Sequence, residues 1–286
     1  DTGIDLVAKT KEGDYWAIQC KCFQESSVID KKAVDSFLST SSRTFKDDQF
    51  KTTGFSQRLW LSTTDKWGSN AEEAIRNQTI PFNRFGLSQL KQAEIDWELL
   101  EKGITGEQVR TNKKTIREHQ LNALEAVNKH FKKEDRGKLI MACGTGKTYA
   151  SLKIAENEVG DNGLVLFLVP SIALLGQTLN EWTNDAEGEI HPICICSDSK
   201  ITKKRSKNDD SDLYSIVDLA LPASTDVKSI VKQLTYLHSS NKQGLKVVFS
   251  TYQSIEVISE AQKEFCKQNP KSKNGIFNLV ICDEAH

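Results

Sequence analysis

No apolar run in the chain approaches the ~20 residues that a membrane-spanning helix needs, so no segment reads as one. Charge of one sign is also lacking: 38 Lys and Arg face 39 Asp and Glu, a net charge of -1. That excludes a global basic surface, so any nucleic-acid contact must be local. Cysteine is sparse and odd in number, with 7 scattered residues. The close pairs Cys20/Cys22 and Cys194/Cys196 are C-x-C inside alternating apolar runs, without the wider C-x₂₋₄-C spacing of zinc sites. They read as reduced thiols on strand faces, which suits a reducing, cytoplasmic compartment. The chain starts at Asp1 without a Met and stops at His286, and it reads as an internal slice of a larger protein.

What is present is ordinary globular composition, 38% apolar and 27% charged over 286 residues, enough for about two domains. Residues 4–10 and 15–23 read as two strands around a Lys11-Glu12-Gly13-Asp14 turn. A helix over 30–38, a strand over 58–62, a helix over 70–77 and a strand over 80–85 follow. This order predicts a small mixed sheet flanked by helices over 1–90, with 91–112 as linker. From 113 to 286 the pattern becomes regular β–α alternation. Strands are expected at 138–142, 164–169, 190–196, 246–250 and 277–281, and helices at 118–131, 147–158, 172–182 and from about 255. Nearly continuous apolar strands predict a parallel sheet covered on both faces. Residues 197–243 interrupt it with a polar excursion holding one helix near 226–238. The basic cluster Lys203-Lys204-Arg205 there reads as a solvated loop or a local DNA contact.

Cys143-Gly144-Thr145-Gly146-Lys147-Thr148 falls between an expected strand and an expected helix. Glycines let backbone N–H groups turn toward phosphates, and a helix N-terminus adds partial positive charge. Lys147 then reaches the β- and γ-phosphates, and the Thr148 hydroxyl binds Mg²⁺. Met141 stands where the strict phosphate-loop pattern has its first Gly. Asp283 and Glu284 close the last apolar run. At a strand's carboxyl end they are placed to hold Mg²⁺ (Asp283) and to orient the attacking water (Glu284).

With these motifs, 113–286 resembles the first RecA-like domain of a superfamily-two DEAH-type helicase. Asp283-Glu284-Ala285-His286 is similar to its second motif and 141–148 to its first; the Met is familiar in the restriction-enzyme motor branch. Arg117-Glu118-His119-Gln120 resembles the adenine-reading element, which implies Gln120 as base contact. Val169-Pro170-Ser171 with Gln177, and Ser250-Thr251-Tyr252-Gln253-Ser254, resemble motifs that touch the nucleic-acid backbone. Ser171 and Thr251 are equally placed for helix capping. By the same resemblance His286 couples ATP state to the strand-tracking surface.

In the first half, Gln19 and Lys21 share one face of a strand, with Cys20 and Cys22 on the other. A hairpin brings Asp5 beside them. Asp5 and the Gln19 carbonyl are candidate Mg²⁺ ligands, and Lys21 a candidate for positioning water and stabilising phosphate charge. A plain amphipathic hairpin fits the spacing too. Gly3-Ile4-Asp5-Leu6 followed by Gln-x-Lys resembles the Mrr-type branch of the PD-(D/E)xK nuclease fold. The family's further acidic residue from a preceding helix is absent.

The fold expected is therefore α/β: a restriction-endonuclease-like mixed sheet followed by an incomplete RecA-like parallel domain. The pairing resembles the N-terminal part of single-polypeptide, type I-like (type ISP) restriction–modification enzymes. The resemblance implies an ATP- and Mg²⁺-dependent translocase on double-stranded DNA with an attached endonuclease. It also implies a second RecA-like domain downstream, with a methyltransferase and a target-recognition domain after it. The alternatives are a remodelling motor whose first domain only binds DNA, and an RNA helicase. Arginine fingers contribute ~10³–10⁵ in rate in related systems and are expected outside these residues, so this chain alone is expected to hydrolyse ATP negligibly.

Overall fold

The computed structural model describes residues 3–10, 13–76, 78–104, 109, 113–197, 216–219, 221–239, 243–269 and 276–284. They divide into two units, Asp1–Ala93 with Ser215–Pro222, and Glu94–Tyr214 with Ala223–His286.

Unit 1 opens with the antiparallel pair β1 (Leu6–Lys9) and β2 (Tyr15–Lys21). Helix α1 (Lys31–Thr40) follows; Asp30 caps it by accepting from Ala33 N at 2.8 Å, and Val34 and Phe37, three apart, turn one face inward. A small hairpin, β3 (Phe45–Lys46) and β4 (Thr52–Thr53), precedes β5 (Phe55–Ser62), α2 (Ser69–Ile75), β6 (Phe82–Phe85) and α3 (Leu87–Gln92). The sheet order is β1-β2-β5-β6, with β5 parallel to both β2 and β6. Helices cover a core of Ala17, Val34, Phe37, Trp60, Ala71 and Phe82. Arg58 is buried beside that core, its guanidinium held by Ser41, Ser42 and Gln78 side chains and by the Leu38 and Ile80 carbonyls.

Unit 2 begins with α4 (Trp97–Glu101), which falls within the stretch expected as linker. Then come α5 (Glu118–Phe131), α6 (Lys147–Val159), β7 (Leu164–Val169), α7 (Ile172–Asp185), β8 (Ile190–Ile195), α8 (Val227–Ser239), β9 (Leu245–Thr251), α9 (Ile255–Gln268) and β10 (Leu279–Cys282). The sheet runs β10-β7-β9-β8, parallel throughout. β7 and β9 are central and almost wholly buried, which explains their unbroken apolar runs. Phe167, Trp182 and Phe249 pack ring against ring between sheet and α7.

One expected strand is corrected. Residues 138–142 form no strand, and Leu139 and Ile140 are 45% and 82% exposed. An apolar run becomes a strand only where a neighbour pairs its backbone, and no described strand pairs with this one. The cluster Lys203-Lys204-Arg205 lies outside the described residues.

Candidate functional site

The phosphate-loop sequence lies at the head of α6. Gly144 and Gly146 have φ of 74° and 79°, the left-handed region that glycine occupies without strain. Gly146 is also fixed by closeness, because a Cβ there would sit 2.5 Å from Gln120 Nε2. Lys147 opens the helix, and no side chain caps its first turn, so the N–H groups that a helix start leaves unpaired face the loop. Thr145 Oγ1 donates to the Ala142 carbonyl at 2.7 Å. Trp182 Nε1 donates to the Thr148 carbonyl at 3.1 Å, tying the first turn of α6 to α7.

Gln120 is 4% exposed and braces this loop. Its Nε2 donates to the Thr145 carbonyl at 3.0 Å and the Gly146 carbonyl at 3.2 Å, while its Oε1 accepts from Arg117 N at 3.0 Å. His119 Nε2 lies 2.9 Å from the same Thr145 carbonyl. Burial of Gln120 and the His119 bond were not foreseen from sequence, although both residues sit in the motif that marked the region. Lys114 precedes them, and Lys114 Nζ pairs with the buried Asp185 at 2.8 Å. Its carbonyl accepts from Tyr149 OH at 2.6 Å.

Helix α6 lies against β10, at whose end stand Asp283 and Glu284. Asp283 N donates to the Leu168 carbonyl at 2.9 Å, continuing the parallel ladder past the strand. Glu284 turns with a φ of 51°, and its N–H donates to Asp283 Oδ1 at 3.1 Å. Tyr252 OH donates to the Asp283 carbonyl at 2.8 Å. Burial first, then the charge and hydrogen bond of Cys282 and the charges of Asp283 and Glu284, pushes the Tyr252 phenol up to about 12. His286 lies outside the described residues. Ser171 caps α7 by accepting from Leu174 N at 3.2 Å, and Thr251 is buried with its Oγ1 3.4 Å from Ser254 Oγ.

In unit 1 the hairpin brings Asp5 to Gln19. Asp5 Oδ2 accepts from Gln19 Nε2 and from Cys20 N, the latter at 2.7 Å. Gln19 is 1% exposed, and its Oε1 is buried without a hydrogen-bond partner. Lys21 follows two residues on along β2, on the Gln19 face. Burial, and then the Asp5 charge, push the Cys20 thiol up, as a carboxylate at the hairpin requires. An orphaned carbonyl-type oxygen beside a carboxylate fits a hard cation, whose ligands are oxygens. Among the described residues no three His, Cys, Asp or Glu gather to hold a metal.

Residues 1–107 match a family model described as restriction endonuclease, and residues 113–286 one described as type III restriction enzyme, res subunit. The ATP-dependent type ISP restriction–modification enzyme LlaBIII, solved bound to DNA, is similar at 38% identity over 91% of this chain, with a TM-score of 0.72. A nuclease-deletion mutant of the type ISP enzyme LlaGI, solved with a DNA substrate mimic, is 38% identical over 60% of this chain, with a TM-score of 0.45. The chain spans 16% of the LlaBIII chain and 18% of the LlaGI chain. No curated protein sequence matches. Among the described residues no helix is long and apolar enough to cross a membrane.

Proposed function

We propose, from the premise that this chain belongs to the type III restriction enzyme res-subunit family, that it is part of an ATP-driven DNA translocase with an attached Mg²⁺-dependent endonuclease. The observation that carries the reading is one chain holding both a glycine-formed phosphate loop, heading a helix that lies against the Asp283-Glu284 strand, and a nuclease-family hairpin that pairs Asp5 with Gln19. Both family descriptions are restriction enzymes, and LlaBIII is an ATP-dependent one bound to DNA, which favours double-stranded DNA over RNA as partner. The wider whole, with a second motor domain, a methyltransferase and a target-recognition domain, belongs to the same proposal.

At the ATP site Gly144, Thr145 and Gly146 present backbone N–H groups to phosphates, Lys147 pairs with the terminal ones, and Thr148 and Asp283 would hold the Mg²⁺ that supplies charge neutralisation there. Glu284 orients the attacking water. Gln120 reads adenine only by exchanging a bond it now gives the loop. At the nuclease site Asp5 and Gln19 would hold Mg²⁺, which supplies charge neutralisation at the attacked phosphate. Lys21 positions water there. His286 couples the ATP state to DNA, and Ser171 and Thr251 flank the DNA path.

The test uses Lys147→Ala and Lys21→Ala in the whole protein on duplex DNA. Lys147→Ala should abolish ATP hydrolysis and ATP-driven cutting together. Lys21→Ala should abolish cutting and keep hydrolysis. Cutting that survives Lys21→Ala rejects the nuclease assignment, and ATPase stimulated by RNA alone rejects the DNA motor.

A further inference from the structure

Pro170 and Tyr252 stand at the ends of neighbouring strands in unit 2, close to the turn that carries Glu284. Pro170 follows the last residue of β7, and Tyr252 follows the last residue of β9 as the start of a 3-10 turn, Tyr252–Ser254. β7 lies between β9 and β10, and Asp283 follows the last residue of β10. Tyr252 packs against the apolar core of this unit, which restrains its ring.

The parallel ladder of β10 on β7 sets Cys282 opposite Leu168, and Asp283 N continues it by donating to the Leu168 carbonyl. In a parallel pair, a residue whose N–H donates to one carbonyl accepts at its own carbonyl from the residue two further along the neighbour. For Asp283 that residue is Pro170, which has no N–H to give. The Asp283 carbonyl accepts from Tyr252 OH at 2.8 Å, a donor that reaches it across the end of β7. Gln253 Nε2 donates to the Pro170 carbonyl at 3.3 Å, so two consecutive residues after β9 bond to the ends of both other strands.

The peptide unit held in this way runs from the Asp283 carbonyl to the Glu284 N–H. Glu284 leaves it with a φ of 51°, uncommon for a residue with a long side chain, and its N–H donates to Asp283 Oδ1 at 3.1 Å. Backbone in this region persists only where its surroundings over-determine it. Without a donor on the carbonyl the peptide plane is free to rotate, and the Glu284 side chain swings with it. We propose that Tyr252 is a positioning residue for ATP hydrolysis: its hydroxyl stands in for the donor that Pro170 lacks and fixes the peptide plane that aims Glu284. This role rests on the function proposed above, in which Glu284 orients the attacking water. Tyr252 acts through Glu284, so it bears on turnover rather than on ATP binding.

The test removes one donor and then supplies the other. Tyr252→Phe keeps the packed ring and deletes the hydroxyl, while Pro170→Ala gives the ladder its own N–H. In the whole protein on duplex DNA, Tyr252→Phe should lower kcat for ATP about fivefold, the range of one hydrogen bond, and leave KM for ATP within about twofold. Adding Pro170→Ala to Tyr252→Phe should bring kcat back to within about twofold of wild type, a coupling that independent sites do not show. Hydrogen exchange at the Glu284 amide should follow the same pattern, about fivefold faster in the single variant and close to wild type in the double. An unchanged kcat in Tyr252→Phe, or a loss expressed in KM alone, overturns the positioning role. A loss of kcat that Pro170→Ala leaves in place overturns the exchange of donors. A wild-type protein that hydrolyses no ATP removes the functional reading, and Glu284 exchange unaltered by Tyr252→Phe overturns the hold on the turn in either case.

Discussion

Replacing Gln120 with Ala removes an amide that makes three hydrogen bonds, two to phosphate-loop carbonyls and one from Arg117 N. A neutral hydrogen bond contributes about 0.5–1.5 kcal/mol net, and an acceptor left buried without a partner costs about 1–3 kcal/mol. Thr145 is half-buried and Gly146 exposed, so water reaches their carbonyls once the amide is gone, and the lower range applies. The loop is then destabilised by about 1–2 kcal/mol, or roughly 5- to 30-fold in affinity for any ligand that requires its present shape. Bracing acts on the phosphates, whereas an adenine contact acts on the base alone, and calorimetric titration with ATP, GTP and tripolyphosphate separates the two. Gln120→Ala should weaken all three by at least about fivefold, and any further loss specific to ATP measures the base contact. Unchanged tripolyphosphate affinity with a loss confined to ATP would refute the bracing role. Thermal unfolding of the variant checks that α5 still docks.

Three other outcomes follow from named side chains. Gln19→Glu places a second carboxylate beside Asp5 at a buried position, so the metal-free protein should lose about 2–4 kcal/mol to repulsion and desolvation, and Mn²⁺ should restore it. Equal melting temperatures with and without Mn²⁺ would speak against a cation site. Arg58→Ala should cost about 3–5 kcal/mol by urea denaturation, because it opens a cavity and strips the partners of a buried guanidinium; a loss under about 1 kcal/mol contradicts that. Tyr252 stands at about 12 in the fold against an unperturbed 10.0. The unfolded chain gives up this proton first, so the stabilisation is complete below about pH 10 and is lost as pH climbs toward 12. Tyr252→Phe should flatten that alkaline limb of the melting curve, and an unaltered slope counts against the assignment.

Where local pattern and tertiary structure agree, the sequence was sufficient. The run LVLFLV reads as a buried strand and is β7 over the same residues, because a central parallel strand needs only apolar side chains on both faces. Helix α5 likewise covers 118–131 as its spacing indicates. The run 138–142 (KLIMA) is also mostly apolar and forms no strand, since strand formation depends on a paired backbone and composition carries no record of that. The face shared by Gln19 and Lys21 follows from a period of two, but the bond from Gln19 to Asp5 depends on the hairpin register of Leu6 opposite Ile18. Leu219 was invisible for a related reason. The apolar stretch 216–221 is too short to show a period, and the burial of Leu219 is decided by a sheet far away in sequence.

On the function proposed above, the β1–β2 hairpin brings little charge to a cation. That hairpin offers one carboxylate and one amide oxygen, so its donor set carries a single negative charge. Mg²⁺ dehydrates reluctantly and is characteristically held by one or two carboxylates together with substrate phosphates. With so few protein ligands, tight binding requires the phosphate of the DNA itself, and the cation and the scissile strand become mutually dependent ligands. Cutting is then limited by delivery of DNA to the hairpin rather than by metal supply. On the proposed function, such a nuclease would stay idle on passing DNA and respond to a motor that brings the strand in and holds it. Raising Mg²⁺ tenfold in the absence of ATP should accordingly leave cutting of duplex DNA unaltered, while the same increase with ATP present should speed it; cutting that tracks Mg²⁺ equally with and without ATP would show that the metal alone sets the pace.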